Sequence, residues 1–169
     1  MQTKVILTIM FVGLLINSYG QQNTTWDKWE WLTGDWIGVG AGQPGKGGGS
    51  FSFHAELDNR ILVRKSHSEF PAAANKPAVV HDDLMVIYPD SGVNASKAIY
   101  FDNEGHTINY AITYADKSIV LTSNKAPGVP VFRLTYSLLE NNVVNTTFEM
   151  SQDGEHFMTY IEGKSSRIE

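Results

Sequence analysis

With 169 residues, a formal net charge of −5 and no cysteine, the chain is sized for one domain that holds together by packing alone, without disulfides. Its acidic balance argues against nucleic acid or an anionic membrane surface as a partner, because phosphates and acidic lipids would be repelled.

Lys4 precedes a mainly apolar run over residues 5–16, and Ser18 and Gly20 stand at the −3 and −1 positions before Gln21. This is the pattern of a secretory signal peptide, too short for a membrane span. It predicts export to the periplasm or the extracellular space, with residues 21–169 as a single domain. Lys4 is the only charged residue removed, so that domain has 12 basic against 18 acidic side chains. No later stretch reaches the roughly 18 apolar residues a spanning helix needs.

Residues 24–32 predict a short helix, with Thr24 or Thr25 as its cap, Asp27 in its first turn and Gly34 as its stop. Trp26, Trp29 and Leu32 fall on one side, as they would in a helix closing the end of a larger fold. A sugar-stacking platform is the alternative for this tryptophan-rich segment. Next comes Gly34-Asp35-Trp36-Ile37-Gly38-Val39-Gly40. As a strand it puts Trp36, Gly38 and Gly40 on one face and Ile37 and Val39 on the other. Trp36 is expected to plug a barrel end, with the glycines allowing bend and close approach. The glycine-rich segment 42–50 is a turn and not a phosphate loop. Two residues, not four, separate Gly42 from Gly45-Lys46, and glycine follows the lysine.

From residue 50 onward strands are predicted at 50–57, 60–70, 79–88, 96–101, 106–114, 118–122, 131–139, 143–150 and 156–163, with a polar tail at 164–169. The turn at Asp102-Asn103-Glu104-Gly105 is a strong hairpin signal. With the strand at 34–40 this makes ten, spaced by about ten residues and joined without a long crossover. The fold class is therefore all-β: an antiparallel up-and-down barrel with a short N-terminal helix over one end and an interior able to hold one small ligand.

The 34–40 stretch, the tryptophan-bearing segment before it and the ten meander strands resemble the calycin superfamily, in particular nitrobindin-like and bacterial lipocalin-like domains. Phe132-Arg133-Leu134-Thr135-Tyr136 and Phe148-Glu149-Met150 add to the likeness, which covers residues 26–163. The resemblance implies a barrel binding a small apolar or amphipathic molecule. In nitrobindins a histidine of the last strand holds the haem iron; the matching place here is close to Tyr160. No cofactor is therefore expected, and haem on a tyrosine remains an alternative. The Arg-x-Tyr of fatty-acid-binding proteins is also missing, since Met158 stands two places before Tyr160.

Trp36, Tyr110, Phe132, Arg133, Tyr136, Phe148 and Tyr160 are the expected ligand-binding residues: large, few in charge, and suited to an apolar pocket with polar anchors. Tyr136 and Phe132 share one face of their strand and are placed inside, with Arg133 as the alternative anchor. Arg64 alternates with Leu62 and Ser66, and an outward position is preferred for it. If either arginine points inward it must be paired, with a ligand carboxylate or Glu56 as partner. His67, Glu69, His81, Asp82 and Asp83 flank one connection and would meet if their strands pair, but their spacing is no known metal signature. No cysteine and no Gly-x-Ser-x-Gly elbow is present, so binding is favoured over catalysis. A filled barrel serving a protein partner is the third reading. The sequence leaves the oligomeric state and the ligand's identity open.

Overall fold

The computed structural model describes residues 25–39, 48–72 and 77–169, with Asn141 described through its backbone only. The leader, the glycine-rich turn at 42–47 and residues 73–76 lie outside the described residues. Ten strands form: β1 (Gly34–Gly38), β2 (Gly48–Glu56), β3 (Ile61–Phe70), β4 (Val79–Tyr88), β5 (Lys97–Asp102), β6 (Thr107–Ala115), β7 (Ser118–Ser123), β8 (Val131–Leu138), β9 (Val143–Ser151) and β10 (Met158–Arg167). Each strand pairs antiparallel with the next, and β1 closes the barrel against β10. Among the described residues no helix is long and apolar enough to cross a membrane.

Strict alternation decides which side chains fill the barrel. Phe51 and Phe53 on β2, Leu62 on β3, Met85 and Ile87 on β4, Tyr110 and Ile112 on β6, Ile119 and Leu121 on β7, and Leu134 and Tyr136 on β8 are all buried. The hairpin joining β5 to β6 forms as the sequence predicts. Ala98 opposes Tyr110, Tyr100 opposes Ile108, and Gly105 takes a φ of +91° in the turn.

The connections at 57–60, 89–96, 116–117 and 139–142 lie at one end of the barrel, the near end, and residues 25–33 close it. These residues make hydrogen-bonded turns where a short helix is expected. The amides of Trp29 and Leu32 reach back only three residues, to Trp26 and Trp29, and Thr33 alone reaches back four. Tertiary contacts outweigh helical propensity over so short a segment. The Trp26 indole donates to the Asn59 carbonyl at 2.9 Å and the Trp29 indole to the Tyr114 hydroxyl at 2.9 Å. The expected burial of Trp29 and Leu32 is nonetheless present.

Trp36 is wholly buried beneath this segment. Its ring stacks on Phe51 with centroids 5.9 Å apart, and its indole donates to the Leu32 carbonyl at 2.8 Å. The guanidinium of Arg167 lies 4.5 Å from the Trp36 ring centroid and donates to the carbonyls of Trp31 and Thr33. The expected polar tail is thus strand as far as Arg167. Its polarity misleads because Ser165 and Arg167 close the seam against Gly38 and Trp36.

Candidate functional site

The barrel wall toward the far end, the one holding the β3–β4, β5–β6, β7–β8 and β9–β10 connections, carries two kinds of inward surface. One is polar and comes from β3, β4 and β5. Register places Arg64, Met85 and Tyr100 in one cross-strand row and Ser66, Asp83 and Asp102 in the next. Arg64 therefore points inward, contrary to the outward position expected. Its Nη1 bonds Asp83 Oδ1, not Glu56, which is exposed. The side chains of Arg64 and Asp83 are 9% and 5% exposed, so the pair is removed from water.

A looser ionic contact leads from this pair to His81, and a chain of hydrogen bonds continues from there to the surface. His81 Nε2 lies 3.8 Å from Asp83 Oδ2 and 2.9 Å from the Tyr100 hydroxyl. Tyr100 donates to Asp102 Oδ2 at 3.2 Å, and the same oxygen is 2.8 Å from His106 Nδ1. His81 Nδ1 lies 3.0 Å from Glu104. Each buried carboxylate has its own cation or imidazole, which is the condition for two acids to sit in one row.

Burial pushes the Asp83 carboxyl up, and Arg64, His81 and Ser66 only partly draw it back. Burial also works against the charge on Arg64, but the Asp83 carboxylate bonded to it favours that charge, and the guanidinium stays above its usual value. The Tyr136 hydroxyl is pushed up to about 12 by burial, and burial raises Tyr110 and Tyr100 as well. All three phenols are thus protonated and able to donate. For Asp102 burial is outweighed by the His106 amide and ring, and its carboxyl lies below the usual range.

The second surface is aromatic and comes from β8, β9 and β10. Phe132 and Phe148 stack at 5.7 Å and 13°, both half-buried against the core. Tyr160 meets Phe148 edge-on at 6.4 Å. The register of β10 slips between Thr159 and Ile161, so Tyr160 is the extra residue of a bulge. A bulge re-aims its side chain, and here it turns Tyr160 toward the Phe148 ring while leaving it 67% exposed at the rim.

Of the residues expected to bind ligand, Trp36, Tyr110 and Tyr136 are deep in the core and Phe132, Phe148 and Tyr160 form the far-end wall. Tyr136 and Phe132 share the inner face, as placed from the sequence. Arg133 takes the outer face, bonded to Glu149 at 2.7 and 3.0 Å with its guanidinium 3.8 Å from the Phe157 centroid. Sequence reasoning missed Tyr100, Asp102 and Thr146, and it grouped Asp83 with the histidines beside the β3–β4 connection without giving it to Arg64. Pairing β3 with β4 in register would have set Ser66 opposite Asp83 and brought that carboxylate to the arginine's face.

Three polar atoms of this interior have no partner: Arg64 Nε, the Tyr136 hydroxyl and Thr146 Oγ1. Tyr136 opposes Thr146 in register, and both Tyr136 and the Arg64 guanidinium border the Phe51 ring, at 5.9 and 5.8 Å.

A depression of about 350 Å³ lies on the outer face instead, lined by Asp35, Ser50, Ser52, Lys65, His67 and Asp82 among others. It opens among outward-facing side chains of β1 to β4, away from the barrel interior. Ser50, His67 and Asp82 form one cross-strand row there, with His67 Nδ1 2.6 Å from Asp82. His67 Nε2, the nitrogen that would have to serve a serine, is 3.1 Å from Glu69. His67 and Asp82 face outward while His81 and Asp83 face inward, so strand pairing separates the two imidazoles by the thickness of the sheet. Among the described residues no group of three such side chains is arranged to hold a metal ion.

The closed ten-strand antiparallel barrel is consistent with a calycin-like fold. No protein-family model matches the chain, and no curated protein matches it.

Proposed function

We propose that this chain is an exported barrel of the lipocalin-like or nitrobindin-like kind that holds one small amphipathic molecule at its far end. The leader pattern at residues 1–20 and the 34–40 stretch support export and affiliation. The observation carrying the reading is the group of three unpartnered buried polar atoms, Arg64 Nε, Tyr136 OH and Thr146 Oγ1, inside a wall that turns aromatic toward its rim. Buried polar groups without partners cost stability and are rare in folded proteins. Beside the partly buried Phe132 and Phe148 and the exposed Tyr160 they suit a ligand with a polar head and an apolar body. In this reading the head meets the interior donors and the body lies against the three rings.

Titration with Nile red, an uncharged apolar fluorophore, tests this. Saturable binding is expected in the wild type. Tyr160→Ala, which removes a largely exposed ring, should weaken binding about three- to tenfold, the worth of one aromatic contact, without moving Tm. Absence of saturable binding, or binding indifferent to Tyr160→Ala, would refute the reading.

A further inference from the structure

Resting on that reading, we infer that the head group taken by the interior is an uncharged hydrogen-bond acceptor, the carbonyl of an ester, ketone or amide, and not a carboxylate or an amine.

The argument is one of valence and charge. Arg64 Nε can only donate, so the group that satisfies it must be an acceptor. An ammonium has no acceptor to offer and would be repelled by the guanidinium beside it. The hydroxyls of Tyr136 and Thr146 can both donate, and the two lone pairs of one carbonyl oxygen can accept from two of these three groups. A carboxylate could accept as well, but its charge is not wanted. Arg64, the cation that carries the unpartnered Nε, is already matched by Asp83, and both are shielded from water. Asp102 sits in the row beside Asp83, and Glu104 stands at the surface end of the same hydrogen-bond chain. A carboxylate would thus enter a buried site where the cation at hand, Arg64, is already neutralised, next to further acids. A buried charge without its own partner is strongly disfavoured. A carbonyl brings the acceptor without that penalty.

Displacement of Nile red by methyl laurate and by laurate, at about pH 8 and below micelle-forming concentrations, tests the inference. Methyl laurate should compete at least about tenfold more strongly. Tyr136→Phe keeps the ring and removes one donor, and should weaken methyl laurate about three- to tenfold, the worth of one hydrogen bond. Asp83→Asn leaves Arg64 uncompensated and should turn the preference toward laurate. Circular dichroism establishes that each variant is folded, and should Asp83→Asn fail to fold, Tyr136→Phe decides alone. Laurate competing as well as or better than its ester in the wild type would overturn the inference and leave the binding reading standing. Equal displacement with no effect of Tyr136→Phe would mean that these donors hold an internal water only, and would also overturn it. Failure of Nile red to bind at all would overturn the proposed function and this inference with it.

Discussion

Trp36→Ala offers the sharpest test of how the near end is built. The indole is fully buried, stacked on Phe51, covered by Arg167 and hydrogen-bonded to the Leu32 carbonyl. Emptying a buried tryptophan site costs about 3–5 kcal/mol, because the surroundings relax only partly into the cavity. The Leu32 carbonyl loses its donor, which adds about 1 kcal/mol. A loss of about 4–6 kcal/mol follows, and at about 2–4 °C per kcal/mol for a domain of this size Tm should fall by about 10–20 °C. Urea unfolding followed by circular dichroism reads the change as a shift of midpoint at constant slope. Trp36→Phe keeps an aromatic ring on Phe51 and should lose only about 1–2 kcal/mol, mainly the indole donor and some packing. A loss below about 1 kcal/mol for Trp36→Ala, the range of surface changes, would refute the reasoning.

Two further predictions concern turns and charge at the far end. Gly105 has a φ of +91° and no heavy atom within 4 Å of where a Cβ would stand, so Gly105→Val acts through the backbone alone. It should cost about 1–2 kcal/mol in urea unfolding, and a neutral result would show that the β5–β6 turn can re-form with another conformation. His106 is raised above its usual value by its bond to Asp102. The pair therefore contributes in full below the unfolded histidine value of about 6.5, and its contribution fades as pH rises through the raised folded value. Asp102 is lowered, so the contribution is also lost as pH falls below the usual aspartate range. Unfolding of wild type and His106→Gln across pH 5–8 should show a stability gap that is widest at the acidic side; a gap independent of pH would refute the assignment.

The architecture was legible in the sequence because strands repeat with period two and turns announce themselves. The alternation of Ile108, Tyr110 and Ile112 and the Asp102–Gly105 turn define β5–β6 without further information. What the sequence hid depends on register between strands. The side on which Arg64 lies is settled by a partner, Asp83, that stands beyond the β3–β4 connection, and a lone arginine in a strand reads as solvent-facing by default. Residues 164–167 read as tail because the polarity of their side chains conceals a backbone that has to pair for the barrel to close. Tyr160 illustrates the same point: a bulge shifts the phase of alternation, so counting along β10 misplaces every side chain beyond it.

The seam between β1 and β10 has a consequence of its own. It consists of three register pairs, Trp36 with Arg167, Ile37 with Ser166 and Gly38 with Ser165, whereas β3 and β4 share nine. A closed barrel leaves no unpaired strand edge, and this protects it from recruiting strands of other molecules. That protection is no stronger than its shortest join. Opening there would free two edges at once, one of them carrying the exposed Ile161 and Ile168. Arg167 reaches across the seam to the Trp31 and Thr33 carbonyls and so ties the last strand to the cap over the near end. Loss of the final few residues would thus open the sheet, turning a self-contained barrel into a template for chain-to-chain assembly.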